Sequence, residues 1–268
     1  MIQILCDTHT HTLFSRHAYS TVEEDVRAAA DQGMELLGVT DHYSAMLFEE
    51  QSFKNFQYFV NFGVWPREWH GVRLLHGCEA DIVDVEGHLF GHDIPLERNI
   101  TGEAVRRPHT LKDVVFRGCD YVVASVHNMQ FTLDATPAQN AAMYVRALED
   151  PKVLILGHIG RSGVDFELDP VIEAARDLGK LVEINGGSLW GEKRVRSLER
   201  CRRVAERCAE LGCMVSFGSD AHISWEVGRT GGAVELLESV HFPPELVACR
   251  SAEVFLGVAR AALPDFPL

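Results

Sequence analysis

The chain has 268 residues, 46% of them hydrophobic, and sets 25 basic side chains against 39 acidic ones for a formal net charge of −14. That excess of negative charge repels phosphate polymers at long range, which excludes a grip on long nucleic acid but not on a small phosphorylated molecule held by bound metal. Cysteines at 6, 78, 119, 201, 208, 213 and 249 are odd in number and form no C-x-x-C pair; without a basic leader or an apolar run of membrane-spanning length, they point to a cytoplasmic protein off the membrane.

In chain order the sequence repeats one unit, a short apolar run, a polar turn and an amphipathic helix. The runs are "IQILCD" (2–7), "LLGVTD" (36–41), "VRLLHGCEA" (72–80), "DYVVASVH" (120–127), "KVLILGH" (152–158), "KLVEING" (180–186) and "CMVSFGSD" (213–220). Continuous Val, Ile and Leu of this length are expected of parallel strands buried on both faces. Residues 20–33 predict a helix with Ser20 and Glu23 as a capping box and Gly33 at its end. Helical periodicity also covers 137–149, 169–179 and 195–212. The aromatic segment 53–65 reads as a lid or barrel cap, and 84–110 as an irregular surface excursion. Segments 43–65 and 84–110 are the expected pocket walls. Alternating strands and helices make either a barrel or an open doubly wound sheet. The turn after the first run is rich in histidine where an open sheet commonly has glycine. No linker divides the chain, so residues 1–268 are read as one domain, and a homo-oligomer is left open.

The run ends carry the chemistry. The first ends in His9 and His11, the second in Asp41-His42, the third in Glu79 and the fourth in His127. The fifth ends in His158, the sixth in Glu183-x-Asn185 and the seventh in Asp220-x-His222. In a (β/α) barrel all strand C-termini share one face, where function is built. Imidazole mixed with carboxylate suits Zn, Mn or Fe rather than calcium or structural zinc. Residues two apart on a strand share a face, so His9 and His11 can reach one ion. Glycine or alanine beside the ligands, as in "LGHIG" and "GSDAH", leaves room for approach. His70, His109 and His241 read as ordinary histidines; His76 is left open, and His88 and His92 are placed on the surface of the excursion. The helix face in 192–203 is solvated, with its first residues toward the site.

The order "DTHTHTLFSRH", "TDH", "GCEAD", "ASVH", "GHIG", "EING" and "GSDAH" resembles the PHP (polymerase and histidinol phosphatase) superfamily. The similarity is closest to its small stand-alone phosphatases of the YcdX type and runs to about residue 245. The resemblance implies a distorted seven-stranded (β/α) TIM-like barrel and a metal-dependent phosphoesterase with three divalent ions, zinc first and manganese or iron as alternatives. His9, His11, Glu79 and Asp220 would hold one ion. Glu79 would bridge to a second with His127 and His158, and His17, His42 and His222 would hold the third. Such a site would hydrolyse small phosphomonoesters by attack of a hydroxide bridging two metals. Asp220 or a metal-bound water would protonate the leaving alkoxide. Arg194 and Arg161 are the candidate phosphate contacts. This sequence departs from the family pattern at Arg161, at Gly186-Gly187 and in a longer 84–110 excursion. Alternatives are a phosphodiesterase or exonuclease on short nucleotides or nucleoside bisphosphates, a non-catalytic metal module, and an amidohydrolase relative.

Overall fold

Burial on both faces turns the seven apolar runs into parallel strands: β1 (Cys6–Thr10), β2 (Leu36–Val39), β3 (Val72–Asp81), β4 (Tyr121–Ser125), β5 (Val153–Leu156), β6 (Leu181–Asn185) and β7 (Val215–Gly218). Arg73 is the one exposed position in them. The computed structural model describes residues 1–107 and 109–267, apart from the side chains of Lys193 and Arg194. The strands pair in chain order from β1 to β7. A Thr10–Ala221 bridge, with Asp220 N donating to His9 O at 2.8 Å, ties the last strand to the first. The result is a nearly closed parallel barrel of the (β/α)7 TIM-like kind. A two-residue strand, His42–Tyr43, adds to β3 and sets His42 opposite Glu79.

Helices return the chain between strands: α1 (Val22–Asp31), α2 (Leu111–Gly118), α3 (Pro137–Leu148), α4 (Leu168–Asp177) and α5 (Gly191–Leu211), followed by α6 (Gly231–Ser239) and α7 (Ala252–Ala262). None is long and apolar enough to cross a membrane. The expected cap of α1 is displaced by one residue: Thr21 accepts from Glu24 N, and Glu24 reaches back to Thr21 N. Ser20 Oγ is taken instead by Ser224 N at 2.7 Å. The expected helix at 195–212 begins earlier, at Gly191, and α2, α6 and α7 were not among the predicted elements.

Between β2 and β3 there is no α-helix. The aromatic segment forms two 3₁₀ helices across Phe53–Val64, joined by a kink at Asn61, with Phe56, Phe59 and Phe62 buried. Tyr43 meets Phe56, Phe59, Phe90 and Phe116 edge-on at 4.9–6.1 Å between centroids, so the segment is flank packing beside α2 rather than a lid. His76 joins the same flank, its ring against Phe62 and Trp65 at 5.1 and 5.0 Å. It lies an odd number of residues from Glu79 on β3, so the two side chains leave opposite faces. Burial, with Arg67 nearby, pushes the His76 imidazole down to about 4.

In the first turn of α1, Asp25 is fully buried and neither carboxylate oxygen has a hydrogen-bond partner. Burial, with the nearby charges of Asp41 and Asp7, pushes its carboxyl up to about 8. The folded value stands above that of the unfolded chain, near 4, so the folded state holds the extra proton and stability falls as pH rises through roughly 4 to 8. Asp25→Asn is expected to exceed wild type by roughly 1–3 kcal/mol at pH 8, a shift of about 2–10 °C in Tm, and to match it near pH 4. Thermal melts across that range decide it: parallel curves for the two proteins would show that Asp25 does not carry the pH dependence.

Candidate active site

The strand period puts His9 and His11 on one side of β1, with their Nε2 atoms 3.1 Å apart. β3 delivers Glu79 to the same point, its Oε2 lying 3.3 Å from His9 Nε2 and 3.5 Å from His11 Nε2. Asp220, just beyond β7, brings Oδ1 to 3.2 Å from His11 Nε2 and 3.9 Å from His9 Nε2. A tetrahedral ion with bonds of about 2.1 Å has edges of about 3.4 Å, so the atoms of His9, His11 and Glu79 have the spacing of one coordination shell, with Asp220 beside the two histidines.

Glu79 also faces the other way. Its Oε1 is 2.7 Å from His158 Nε2 and 3.3 Å from His127 Nε2. His42 Nδ1 lies 2.8 Å from Oε2 at an angle that makes no hydrogen bond, and both atoms are buried without partners. Farther out, His17 Nε2 and His222 Nε2 are 3.0 Å apart, and the His42 ring is 5.0 and 5.6 Å from the rings of His17 and His222. All nine predicted side chains therefore meet in one cluster. Three of its triplets have ligand atoms within 4.8 Å of one another: His9, His11 and Glu79; His42, Glu79 and His127; His11, His42 and His222. In these triplets His42 falls with Glu79 and His11 as well as with His222. Unpartnered buried donors facing a buried carboxylate fit divalent ions.

The outer nitrogen of most of these imidazoles is committed. His9 Nδ1 meets Glu183 Oε1 at 2.7 Å, and His127 Nδ1 meets Asp81 Oδ1 at 2.6 Å. His11 Nδ1 meets Ser15 Oγ at 2.9 Å, whose hydroxyl donates to Asp41 Oδ1, and His222 Nδ1 donates to the Asp220 carbonyl at 3.0 Å. This pattern turns the Nε2 atoms of these four rings inward with their tautomers set, an arrangement that suits metal ligation. Glu183 was visible at a strand end but had no role, and Asp81 had no signal beyond standing two residues after Glu79. Glu183 Oε2 also accepts from His158 N at 2.7 Å, so one carboxylate positions two ligands.

Electrostatics follow from the packing. Burial would raise the Glu79 carboxyl, but His127, His9 and His42 outweigh it and hold the group well below the carboxylate range. His127 is driven the opposite way: burial would lower it, yet Glu79 and Asp81 bring it up to about 10. His158 and Asp220 sit at φ +30° and +57°, a region sparsely used by residues other than glycine and typical of constrained functional sites. Glycine makes the room that the motifs suggested. A Cβ at Gly218 would lie 2.3 Å from both Glu183 Oε1 and His9 Cβ.

The cluster floors a cavity of about 1130 Å³. Among the described residues its walls come from 160–163, 186–200 and 219–232, with Met46 the sole contribution from 43–65 and none from 84–110, which corrects the expected walls. The buried rings of the aromatic segment pack on the barrel flank, while Tyr58 reaches back to the site from behind, its hydroxyl donating to the His42 carbonyl at 3.3 Å. Arg161 lines the cavity and its Nη2 donates to Asp220 Oδ2 at 2.6 Å. Arg194, the other predicted phosphate contact, has its side chain outside the described residues.

Comparison with known proteins agrees with this geometry. The PHP domain family model matches residues 7–187. A probable phosphatase of Clostridium botulinum is 35% identical over 246 residues, covering 92% of this chain and 90% of its own. One from Caldanaerobacter subterraneus is 35% identical over 252 residues, covering 94% and 89%. Among solved structures, histidinol phosphate phosphatase from Lactococcus lactis, complexed with zinc, L-histidinol and phosphate, aligns with a TM-score of 0.53 at 18% identity over 91% of this chain and 95% of that one. A chain of archaeal ribonuclease P with mature tRNA aligns with a TM-score of 0.52 at 13% identity, covering 95% and 90%, so the fold recurs in a different setting.

Since Glu183 orients His9 and fixes the His158 backbone, Glu183→Gln is expected to weaken metal retention by about 10–100-fold. Metal content after dialysis against a graded chelator series would measure it; retention equal to wild type would mean that Glu183 only fills space.

Proposed function

The chain belongs to the PHP-domain family and is a phosphatase of its metal-dependent kind, and from that premise we propose that it hydrolyses small phosphomonoesters at a centre of three divalent ions. We read residues 1–268 as one such domain, because β7 and the Asp220 and His222 that follow it lie beyond the matched residues 7–187 yet complete the ring. His9, His11, Glu79 and Asp220 would hold one ion, Glu79 with His127 and His158 a second, and His17, His42 and His222 a third, with zinc ahead of manganese and iron. Bound ions make water a nucleophile near neutral pH and offset charge on phosphate oxygens. The observation that carries the reading is Glu79, a fully buried carboxylate with imidazoles against both oxygens.

The chain's own residues do the rest. Arg161 spends one N–H on Asp220 and keeps others for a phosphate oxygen at the cavity floor. Asp220 is better suited to ligation than to proton donation. Burial would raise its carboxyl, but His11, His9 and Arg161 hold it well below the usual range. Protonation of the leaving alkoxide then falls to water in the open cavity. No cysteine serves as nucleophile, since all seven are buried thiols. Arg194 stays a proposed phosphate contact at the start of α5.

A second reading has one observation in its favour: Arg196, Arg200 and Arg229 join Arg161 on the cavity wall. A second anionic group on the substrate would find them, which suits a nucleoside bisphosphate or a short nucleotide. A substrate panel separates the two readings, because faster turnover of bisphosphates than of simple monoesters would favour the second.

Release of p-nitrophenol from p-nitrophenyl phosphate is the direct assay. Wild type should hold about three ions at this centre and turn over, whereas a chelator or Glu79→Ala should cut turnover by at least about 10³-fold. Full metal content without any phosphate release would sink the phosphomonoesterase reading. Arg161→Met should raise KM more than it lowers kcat, by roughly 10-fold, if the arginine binds ground-state phosphate.

A further inference from the structure

The excursion at 84–110 carries histidines that the active site does not use. It opens with a tight turn after β3. Val83 N donates to His88 O at 2.9 Å, Gly87 N to Asp84 O at 3.1 Å, and His92 N to Leu89 O at 3.1 Å. Arg146 of α3 fastens this turn by donating to the carbonyls of Val85 and Glu86. Gly87 allows the contact: its φ is +80°, and a Cβ there would meet Met143 O at 2.5 Å. The turn is thus a held platform rather than a loose loop.

On that platform Asp84, His88 and His92 place one oxygen and two nitrogens within 4.8 Å of one another. Asp84 accounts for His88 by itself: Oδ2 meets Nδ1 at 2.8 Å, and Oδ1 accepts from the His88 amide at 3.0 Å. It does not account for His92. That ring lies parallel to His88, with centroids 4.3 Å apart and planes 5° apart, and its Nδ1 is enclosed without a hydrogen-bond partner. A carboxylate oxygen of Asp93 stands 3.8 Å from the same nitrogen, too far to satisfy it. An enclosed imidazole nitrogen stacked on a second imidazole, with a carboxylate beside the pair, is the donor set of a divalent transition ion. None of the three residues lines the catalytic cavity.

We propose that Asp84, His88 and His92 form a separate zinc-class site, with remaining positions open to water, which locks the 84–92 turn against α3. The His88 side chain is half exposed, so the site would exchange its ion with solvent. Asp84 Oδ2 and His88 Nδ1, hydrogen-bonded at 2.8 Å, would have to part by only about 0.6 Å to span the edge of about 3.4 Å between ligands of one tetrahedral ion.

The test is equilibrium dialysis of the full-length protein at a fixed free Zn²⁺ concentration, with metal per chain measured for wild type, His88→Ala and His92→Gln. Each variant should hold one equivalent less than wild type and keep wild-type turnover of p-nitrophenyl phosphate. Because His88 is exposed, His88→Ala should fold even if His92→Gln does not. Equal metal content in wild type and His88→Ala overturns the site. The phosphatase reading fails separately, through absent turnover in wild type, so the two results cannot be confused.

Discussion

One buried carboxylate organises this molecule. Glu79 stands inside the barrel with no exposure, where an isolated negative charge would be very costly. Imidazoles from four different parts of the chain answer it: His9 on β1, His42 on the short added strand, His127 after β4 and His158 after β5. Each is placed by a strand end, so the closure of the barrel and the compensation of Glu79 are the same requirement. Parallel strands of a barrel bring their C-terminal ends to one rim, and this carboxylate needs a complete rim.

The layer outside the imidazoles makes that arrangement specific. Glu183 holds His9 by its ring and His158 by its amide, while Asp81 holds His127 and is itself fixed by Ser44 Oγ at 2.5 Å. The Asp41–Ser15 pair does the same for His11. Such partners fix both tautomer and ring direction, and the left-handed backbone at His158 is held by the Glu183 bond to its amide, as that at Asp220 is by its amide donating to the His9 carbonyl. Gly218 is part of this layer through what it lacks, since a side chain there would occupy the space of the His9–Glu183 contact.

The sequence made the strand ends legible because buried parallel strands are continuous apolar runs, and the polar residues that stop them stand out. The first four side chains of the cluster in space, His9, His11, Glu79 and Asp220, come from runs that needed no tertiary information to locate. What could not be read is what depends on packing between distant segments. The α1 cap sits on Thr21 because Ser20 is claimed by Ser224, over 200 residues away. The aromatic segment 53–65 turns to the flank because Tyr43, Phe90 and Phe116 offer it a surface there. Once it leaves the rim, the cavity walls must come from elsewhere, and α5 with the segment after β7 supplies them. Glu183 and Asp81 were present in the motifs, but a carboxylate that orients a ligand looks the same in sequence as one that binds.

Net charge and local charge act here at different ranges. The whole chain carries −14, which discourages any long anionic polymer from approaching. At the cavity the sign reverses: Arg161, Arg196, Arg200 and Arg229 share the wall with Glu192 and Glu226, above a floor of imidazoles. Screening confines the distant acidic field to about 8–10 Å at physiological salt, while charges inside a cavity are screened less. A small anion that reaches the mouth is therefore met mainly by the arginines. A polymer must keep most of its phosphates outside, against the acidic surface. The same distribution would favour a small phosphorylated molecule over a polymer, by size and charge alone.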